Sequence, residues 1–336
     1  MKRSSLTNTQ GYENGYSFTR QLVYLLTHLR MKNILISGFT IVLLSVFQAN
    51  AQSFQDMSNA VQLSDDFDEN QGRLTFYADN KDFCDYYLYI SFVYSEGFQG
   101  MTTGASVVVS HGQRQIKSYK VDEKATRYGY NYRYAMFRGN PNKKPDVEFS
   151  YSLPVVNGET IFAETTENQE GYQLAFELPT DTVYACRGGV ICDDNLKDHT
   201  AKGYKSFSDS RHLSQITVYH ADGTFGEYVF KGKPLVYSGQ DIKIGTPIAI
   251  VDNSLEKYSV RFSAYFLDKN KVKDQNVGNK HTHFRPFFQT YDEGKVRLEN
   301  GKTYICELTD EMLMQDMSKG ERKKFLKNRT KETDEK

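Results

Sequence analysis

The chain has 336 residues, with 42 Lys plus Arg and 42 Asp plus Glu, so its formal net charge is zero. This balance excludes a nucleic-acid-binding protein that relies on net basicity, since phosphate neutralisation requires an excess of Lys and Arg. Aromatic residues make up 14% of the chain, with 24 Tyr, 22 Phe and no Trp, which favours β structure and excludes collagen, coiled coil and wholesale disorder. At roughly 100–200 residues per domain, the length predicts two domains.

A short apolar run lies at residues 34–47. It is shorter than the roughly 20 residues that a helix needs to span a bilayer. A basic start at 31–33 precedes it and the small residues Ala49 and Ala51 follow it, which is the pattern of a secretory signal peptide cleaved between Ala51 and Gln52. The alternative is that the run forms a buried core helix.

We therefore expect translation to start at Met31 and residues 1–51 to be absent from the mature protein. These residues carry five basic and one acidic side chain, so 37 basic and 41 acidic residues remain, a net charge of about −4. No Cys follows the cleavage site, which excludes a lipoprotein. The expected location is secreted or periplasmic, with no membrane span in the mature protein and no nucleic-acid partner.

Four cysteines remain in a compartment that permits disulfides: Cys84, Cys186, Cys192 and Cys306. Cys186 and Cys192 flank Arg187-Gly188-Gly189 within two apolar runs. A cross-strand bridge between these two is one interpretation, and free buried thiols are the other. The spacing is not that of a zinc site, and the pairing of the four cannot be derived from sequence.

The stretch from 73 to 139 alternates short aromatic and β-branched runs with polar breaks. This pattern predicts an antiparallel β-sandwich domain over residues 52–146. The predicted strands are 74–77, 86–94, 106–110 and 127–137. Residues 140–145 are dense in Asn and Pro, which predicts a linker.

A second β-rich domain is predicted at residues 147–308, so the expected fold class is all-β. Its predicted strands are 182–185, 215–219, 227–230, 248–251 and 259–266. The charged tail at 309–336 predicts one amphipathic helix with a frayed end. The apolar positions of that helix are Met312, Met314, Met317 and Phe325.

Two blocks of the second domain resemble the lysostaphin-like (LytM) zinc endopeptidases, which cleave peptidoglycan. LPTDTVYACRGGV at 178–190 is similar to the P-x-G-T-x-V-x-A-x-x-G-x-V block of the family. Further on, His220-Ala221-Asp222-Gly223 resembles the H-x-D-G turn, and GQDIKIGTPI at 239–248 resembles G-x-x-V-x-x-G-x-x-I. The resemblance covers about 165–270 and implies a LytM-like domain built on a duplicated hybrid motif.

Two further segments are similar to relatives from the Bacteroidetes. Residues 286–304 resemble the closing segment of their peptidase domain, and FYADN at 76–80 resembles the sandwich that precedes it. Within the LytM-like blocks, Gly239 and Gly245 are expected at tight turns, since Gly adopts positive φ without strain. Asp222-Gly223 is expected to form a hairpin turn.

In an active member of this family, a His, an Asp and the second His of H-x-H hold zinc, and two further His assist the reaction. The resemblance places the Asp at Ala175, the His of Y-x-H at Phe230, and the two His of H-x-H at Ser259 and Arg261. No His lies upstream to supply the remaining ligand. All five positions are replaced, so we expect a degenerate member without catalytic residues and without a cofactor, where the family would use zinc.

The replaced residues cannot bind zinc, because Ala and Phe have no ligand atoms and Arg keeps its proton. One hypothesis is that Arg261 fills the vacated cation position and holds acidic or carbonyl groups. The alternative is that Arg261 extends from the end of a strand to solvent. The expected binding surface is the former substrate groove, near Tyr228, Phe230, Ser259 and Arg261.

A second histidine pair, His281 and His283, imitates the H-x-H-F signature. It follows a polar loop and lies further from Gly245 than the family spacing allows. Two His at i and i+2 share one face of a strand and would chelate a metal with a partner such as Asp292. The alternative is that both are solvated surface residues.

The leading hypothesis is a secreted, non-catalytic LytM-fold protein that binds peptidoglycan or regulates a cell-wall hydrolase. The alternative is an active zinc metalloendopeptidase of the cell wall with displaced ligands, including His281 and His283. A third hypothesis is a structural envelope protein with neither activity. The sequence contains no nucleophilic Ser in a G-x-S-x-G context and no Gly-rich phosphate loop.

Overall fold

The computed structural model describes residues 60–101, 104–168, 171–192, 213–252, 258–273 and 279–334. The chain is built mostly from strands, so the all-β prediction is confirmed. It divides into two compact units. The first takes its described residues from Met1–Asn140 and Lys273–Lys280, and the second from Pro141–Val272 and His281–Lys336. None of the described helices combines the length and the apolar composition that crossing a bilayer requires.

The first unit is a β-sandwich, as predicted. Its strands are β1 (Val61–Asp68), β2 (Arg73–Asn80), β3 (Tyr86–Glu96), β4 (Ala105–Val109), β5 (Gly112–Lys120) and β6 (Gly129–Arg138). They form two antiparallel sheets, β1-β2-β5 and β4-β3-β6. The ring of Phe76 on β2 meets Phe92 and Tyr132 of the other sheet, with centroids 5.7 and 5.2 Å apart. Edge-to-face packing of these rings therefore fills the space between the sheets.

The second unit contains the remaining strands and helices of the described chain. Its strands are β7 (Ser150–Tyr151), β8 (Thr160–Asn168), β9 (Gly171–Glu177), β10 (Thr182–Tyr184), β11 (Gly189–Ile191), β12 (Ser214–Tyr219), β13 (Thr224–Phe230), β14 (Gly232–Pro234), β15 (Asp241–Ile242), β16 (Pro247–Val251), β17 (Val260–Leu267), β18 (His281–Phe284), β19 (Phe287–Thr290), β20 (Gly294–Val296) and β21 (Lys302–Ile305). Its helices are α1 (Lys269–Lys273), α2 (Asp310–Gln315) and α3 (Lys319–Asp334).

One large sheet organises the second unit. Among the described residues its strand order is β15-β11-β12-β13-β17-β9-β8-β21, and β18 joins β17 beyond the end of β9. Two small sheets, β10-β16-β14 and β20-β19-β7, complete the unit. The β7 and β19 strands pair in parallel, although the chain between them is long.

The core of the second unit lies on one face of the large sheet. Tyr228 and Phe230 on β13 and Phe262 on β17 are at most 1% exposed. The rings of Tyr151 on β7 and Phe288 on β19 cover them, with centroids 6.0 and 6.2 Å from that of Phe262. Burying each of these aromatic side chains removes a large apolar surface from water, which stabilises the unit.

The turns of this unit follow the predicted chemistry. Gly239 and Gly245 have φ of 84° and 75°, the left-handed region in which a Cβ would be strained. The hairpin between β12 and β13 turns at Asp222-Gly223, as predicted. The carboxylate of Asp222 accepts from the backbone N–H and the hydroxyl of Thr224, which holds the turn closed.

The C-terminal tail forms two helices, so the single predicted helix is wrong. Thr309 caps α2, since its hydroxyl accepts from the N–H of Met312 at 3.2 Å. Ser318 and Glu321 form a reciprocal pair in which each side chain accepts from the backbone N–H of the other. This capping box fixes a new helix start at Ser318 and separates α3 from α2.

Candidate functional site

The face of the large sheet opposite the core is the more polar one. Along β17, Val260, Phe262 and Ala264 are buried in the core, whereas Arg261 is half-buried on the other face. The period of two along a strand accounts for this separation. The polar face is therefore the part of the sheet where Arg261 meets other residues.

Arg261 lies in a row of five residues that crosses five strands. It pairs with Ala175 on β9 and with Val229 on β13. Glu164 on β8 pairs with Ala175, and Gln215 on β12 pairs with Val229. Paired residues on antiparallel strands share a face, with Cβ atoms about 5 Å apart. We call these five residues the Arg261 row.

A second polar contact lies beside this row. Glu227 on β13 accepts a hydrogen bond from the side-chain amide of Gln215 at 3.0 Å and one from the hydroxyl of Tyr265 at 3.3 Å. Carboxylate and amide groups from neighbouring strands thus face the same side as Arg261. This face presents hydrogen-bonding groups of both kinds.

The structure does not bring the four predicted groove residues together, and this part of the prediction needs correction. Tyr228 and Phe230 are 1% and 0% exposed and face the core, because Phe230 pairs with Val260 rather than with Arg261. The hydroxyl of Tyr228 accepts from the backbone N–H of Cys186 at 2.7 Å, a structural bond. Ser259 is 6% exposed, so Arg261 is the most exposed of the four.

The zinc that the resemblance implies does not fit these residues. Ala175 and Phe230 have no ligand atoms, and the guanidinium of Arg261 repels a cation. Phe230 also lies on the opposite face from Ala175 and Arg261. Two of the family's ligand positions are thus neighbours here, and the position of the Y-x-H histidine is separate from them.

His281 and His283 share one face of β18, as their spacing predicts. Their rings pack on Tyr265, with centroid distances of 5.2 and 5.1 Å. Burial lowers the pKa of His283, which keeps its imidazole neutral. The predicted third ligand, Asp292, instead accepts from the backbone N–H of Ile305 at 3.5 Å. Within the described part of the second unit, no third ligand atom joins the two histidines at chelating distance.

A buried arginine outside every prediction has the most elaborate polar surroundings in the second unit. Arg187 is 2% exposed, and its guanidinium stacks on Phe149, with Cζ 3.5 Å from the ring centroid. Nη1 donates to Asp222 at 3.1 Å and to Thr224 at 3.2 Å, and Nη2 donates to Asp316 at 3.3 Å. Asp222 and Asp316 lie 35 and 129 residues away in sequence, so no local pattern could have revealed this cluster.

Three polar atoms beside this arginine are buried without a hydrogen-bond partner: Nε of Arg187, Oη of Tyr151 and Nε2 of His220. The other ring nitrogen of His220 lies 2.7 Å from the carbonyl of Gly188, which can only accept, so Nδ1 carries the proton. Burial and the Arg187 charge lower the pKa of His220 to about 3, which leaves a neutral ring with a free lone pair on Nε2. The Arg187 cluster comprises Arg187, Asp222, Thr224, Asp316, Tyr151 and His220.

All four cysteines are free and buried, so the structure contains free thiols and no bridge between Cys186 and Cys192. Burial raises the pKa of the Cys186 thiol, which disfavours the reactive thiolate. The sulfur of Cys192 donates to the carbonyl of Thr217 at 3.4 Å. Their roles are those of small buried side chains.

The predicted cleavage site between Ala51 and Gln52 lies outside the described residues. Signal-peptide removal and the secreted or periplasmic location therefore stay predictions.

No family model matches the chain, and no curated protein matches it. Two solved structures are similar at low level. One is described as a novel M23 metalloprotease, pseudoalterin, from the deep sea; it is 16% identical, with a TM-score of 0.29 over 48% of this chain and 96% of that chain. The other is Csd3 of Helicobacter pylori, which is 11% identical, with a TM-score of 0.27 over 91% of this chain and 94% of that chain.

Proposed function

We propose that this chain is an exported, non-catalytic LytM-like protein whose second unit binds peptidoglycan. The pairing of Arg261 with Ala175 is the observation that carries the proposal. The resemblance assigns these positions, from separate stretches of sequence, to two ligands of one zinc ion. Ligands of one ion must be neighbours, and cross-strand residues about 5 Å apart meet that requirement.

The residues now at these positions favour binding over catalysis. Arg261 keeps a positive charge where the family has a metal cation, and its five N–H donors match carboxylate and carbonyl oxygens. Glu164 and Gln215 add an acceptor and an amide in the same row. The peptide part of peptidoglycan offers the complementary carboxylates, amide carbonyls and amino groups.

Metal content tests the zinc-free part of this proposal. We expect protein purified without chelator to contain far less than one zinc per chain. The double variant Ala175→Asp/Arg261→His restores two family ligands on neighbouring strands and is expected to bind Co²⁺ or Zn²⁺ measurably, whereas Ala175→Asp alone is not. Stoichiometric zinc in the wild-type protein would contradict the proposal.

Cosedimentation with purified peptidoglycan in the presence of zinc tests binding and cleavage together. Binding without release of muropeptides is expected, and Arg261→Ala should weaken it. The matched control is Arg297→Ala, which removes an arginine that is 45% exposed and pairs with Glu148 in the same unit. Released muropeptides would favour an active enzyme with displaced ligands instead.

Two further outcomes separate the remaining hypotheses. Stimulation of a cell-wall hydrolase without binding to peptidoglycan would indicate a regulator, and neither effect would indicate a structural envelope protein. For export, N-terminal sequencing of the secreted protein is expected to start at Gln52. A start elsewhere would contradict the predicted cleavage site.

A further inference from the structure

The two aspartates that hold Arg187 differ in how firmly they are fixed. Asp222 accepts four hydrogen bonds, from the N–H of Asp146, from Thr224 twice and from Arg187. Asp316 accepts one, from Nη2 of Arg187 at 3.3 Å, and its side chain is 31% exposed. Asp222 is therefore part of the scaffold, whereas Asp316 is held at a single point.

Arg187 has one half-used edge for a carboxylate. The Nε and Nη2 groups of a guanidinium point in the same direction and bind both oxygens of one carboxylate in parallel. Asp316 uses only Nη2, and Nε is buried without a partner. A carboxylate free to orient itself would satisfy both donors.

The neighbouring orphan groups add to this potential site. Tyr151 is fully buried and its hydroxyl donates to no acceptor, while neutral His220 presents an acceptor nitrogen without a donor. The two rings lie beside each other, with centroids 6.0 Å apart. A buried polar group without a partner costs about 1–3 kcal/mol, so a ligand that satisfies these groups gains from their state.

We propose that the Arg187 cluster is a binding site for the carboxylate at the C-terminus of a peptide, and that Asp316 occupies it in cis. A peptide C-terminus offers two carboxylate oxygens for Nε, Nη2 and the Tyr151 hydroxyl, and an N–H for His220. Displacing Asp316 opens the segment between α2 and α3 and leaves Asp222 in place. This site involves none of the Arg261 row, and the inference goes beyond the proposed function and does not rest on it.

The ionisation of the two aspartates supports the same distinction. Burial raises the pKa of Asp316, and the attraction of Arg187 does not compensate for it. Burial also acts on Asp222, but Arg187 and the hydrogen bonds around it hold its pKa below the usual value. The charged form of Asp316 is thus the less stable occupant, which favours its exchange for another carboxylate.

Calorimetric titration of the full chain with acetyl-dialanine, its C-terminal amide and acetate tests the proposal. We expect Asp316→Asn to bind the free-acid peptide at least about tenfold more tightly than wild type, and to bind the amide no better than wild type does. The matched control is Asp310→Asn on α2, whose carboxylate pairs with Arg329 and not with Arg187. Adding Tyr151→Phe to Asp316→Asn should weaken binding of the free acid by about tenfold.

Acetate separates the two sources of this chemistry. Equal affinity for acetate and peptide would indicate a site for any small carboxylate, and tighter peptide binding a site for peptide ends; both support a carboxylate site. Failure of Asp316→Asn to prefer the free acid over the amide would overturn it. In wild type, the free-acid peptide and not the amide should accelerate proteolysis near Met317, a readout that requires no variant.

Discussion

Asp222 and Asp316 hold the same arginine, yet their charges act on stability in opposite directions. Although burial alone would raise the pKa of Asp222, Arg187 and the hydrogen bonds from Asp146 and Thr224 lower it. For Asp316 burial prevails, and Asp222 and Asp146 add repulsion to the attraction of Arg187. Net stabilisation by charge is therefore confined to the aspartate in the turn.

We expect Asp222→Asn to lower the free energy of unfolding at pH 7 by about 2–4 kcal/mol, because it breaks a buried pair and weakens a turn. Asp316→Asn should leave this free energy unchanged or raise it by up to about 1 kcal/mol, because it removes a buried charge. Urea unfolding followed by circular dichroism measures both, with Asp310→Asn as control. A loss in Asp316→Asn as large as in Asp222→Asn would contradict this interpretation.

The pH dependence follows from the two shifts. Asp222 stabilises the protein above the pKa of the unfolded state, and this contribution disappears as pH falls through its lowered folded pKa. Asp316 does the reverse: its contribution is present at low pH and is lost as pH rises through its raised folded pKa. The difference between wild type and Asp222→Asn should therefore shrink towards acid pH when unfolding is repeated between pH 3 and pH 7.

At the scale of single residues, sequence and structure agree where the pattern is local. The positions of Ala175 and Arg261 were paired by motif, and the sheet places them side by side. Phe230 was misplaced because β13 has apolar residues on both faces, so the pattern does not show which face is covered. Arg187 could not be found, since its partners come from distant segments.

Among the elements, β17 shows how sharply one strand separates its two faces. The ring of Phe262 packs against Tyr151, Tyr228 and Phe288 in the core, whereas its neighbour Arg261 is half-buried on the polar face. A substitution at one position should therefore be far more costly than at the next.

We expect Phe262→Ala to lower the free energy of unfolding by about 3–5 kcal/mol, because it leaves a cavity among aromatic rings. Arg261→Leu should change it by less than about 1 kcal/mol, because that side chain lies outside the core. Thermal unfolding of both variants under one set of conditions provides the comparison. Equal losses would mean that the polar face is as tightly packed as the core.

The predicted strands were found where aromatic and β-branched residues cluster, as in β3, β12 and β17. The sequence did not reveal β5, because GQRQIKSYK at Gly112–Lys120 is mostly polar and forms a largely exposed edge strand. Strands of two or three residues, such as β7 and β20, are too short to show a period. The helix start at Ser318 had a usable signal, the S-x-x-E capping box, which the apolar pattern of the tail obscured.

At the scale of the whole molecule, the four buried thiols predict chemical behaviour. We expect a thiol reagent to label none of Cys84, Cys186, Cys192 and Cys306 within minutes in the native protein, because all four are at most 1% exposed. All four should react at once in denaturant without reductant. Fewer than four reactive thiols after denaturation would show that a disulfide forms in the isolated protein.

The long-range pairing of the second unit has a consequence for how the chain folds. β21 completes the sheet against β8, and β19 pairs with β7, so early strands wait for partners near the C-terminus. Contacts this distant in sequence slow folding, because the intervening chain must be ordered first. During synthesis, the edge of β8 stays unpaired until almost the whole chain has been made. A protein exported as proposed here would benefit from this delay, since it keeps the second unit unfolded until it has passed through the membrane.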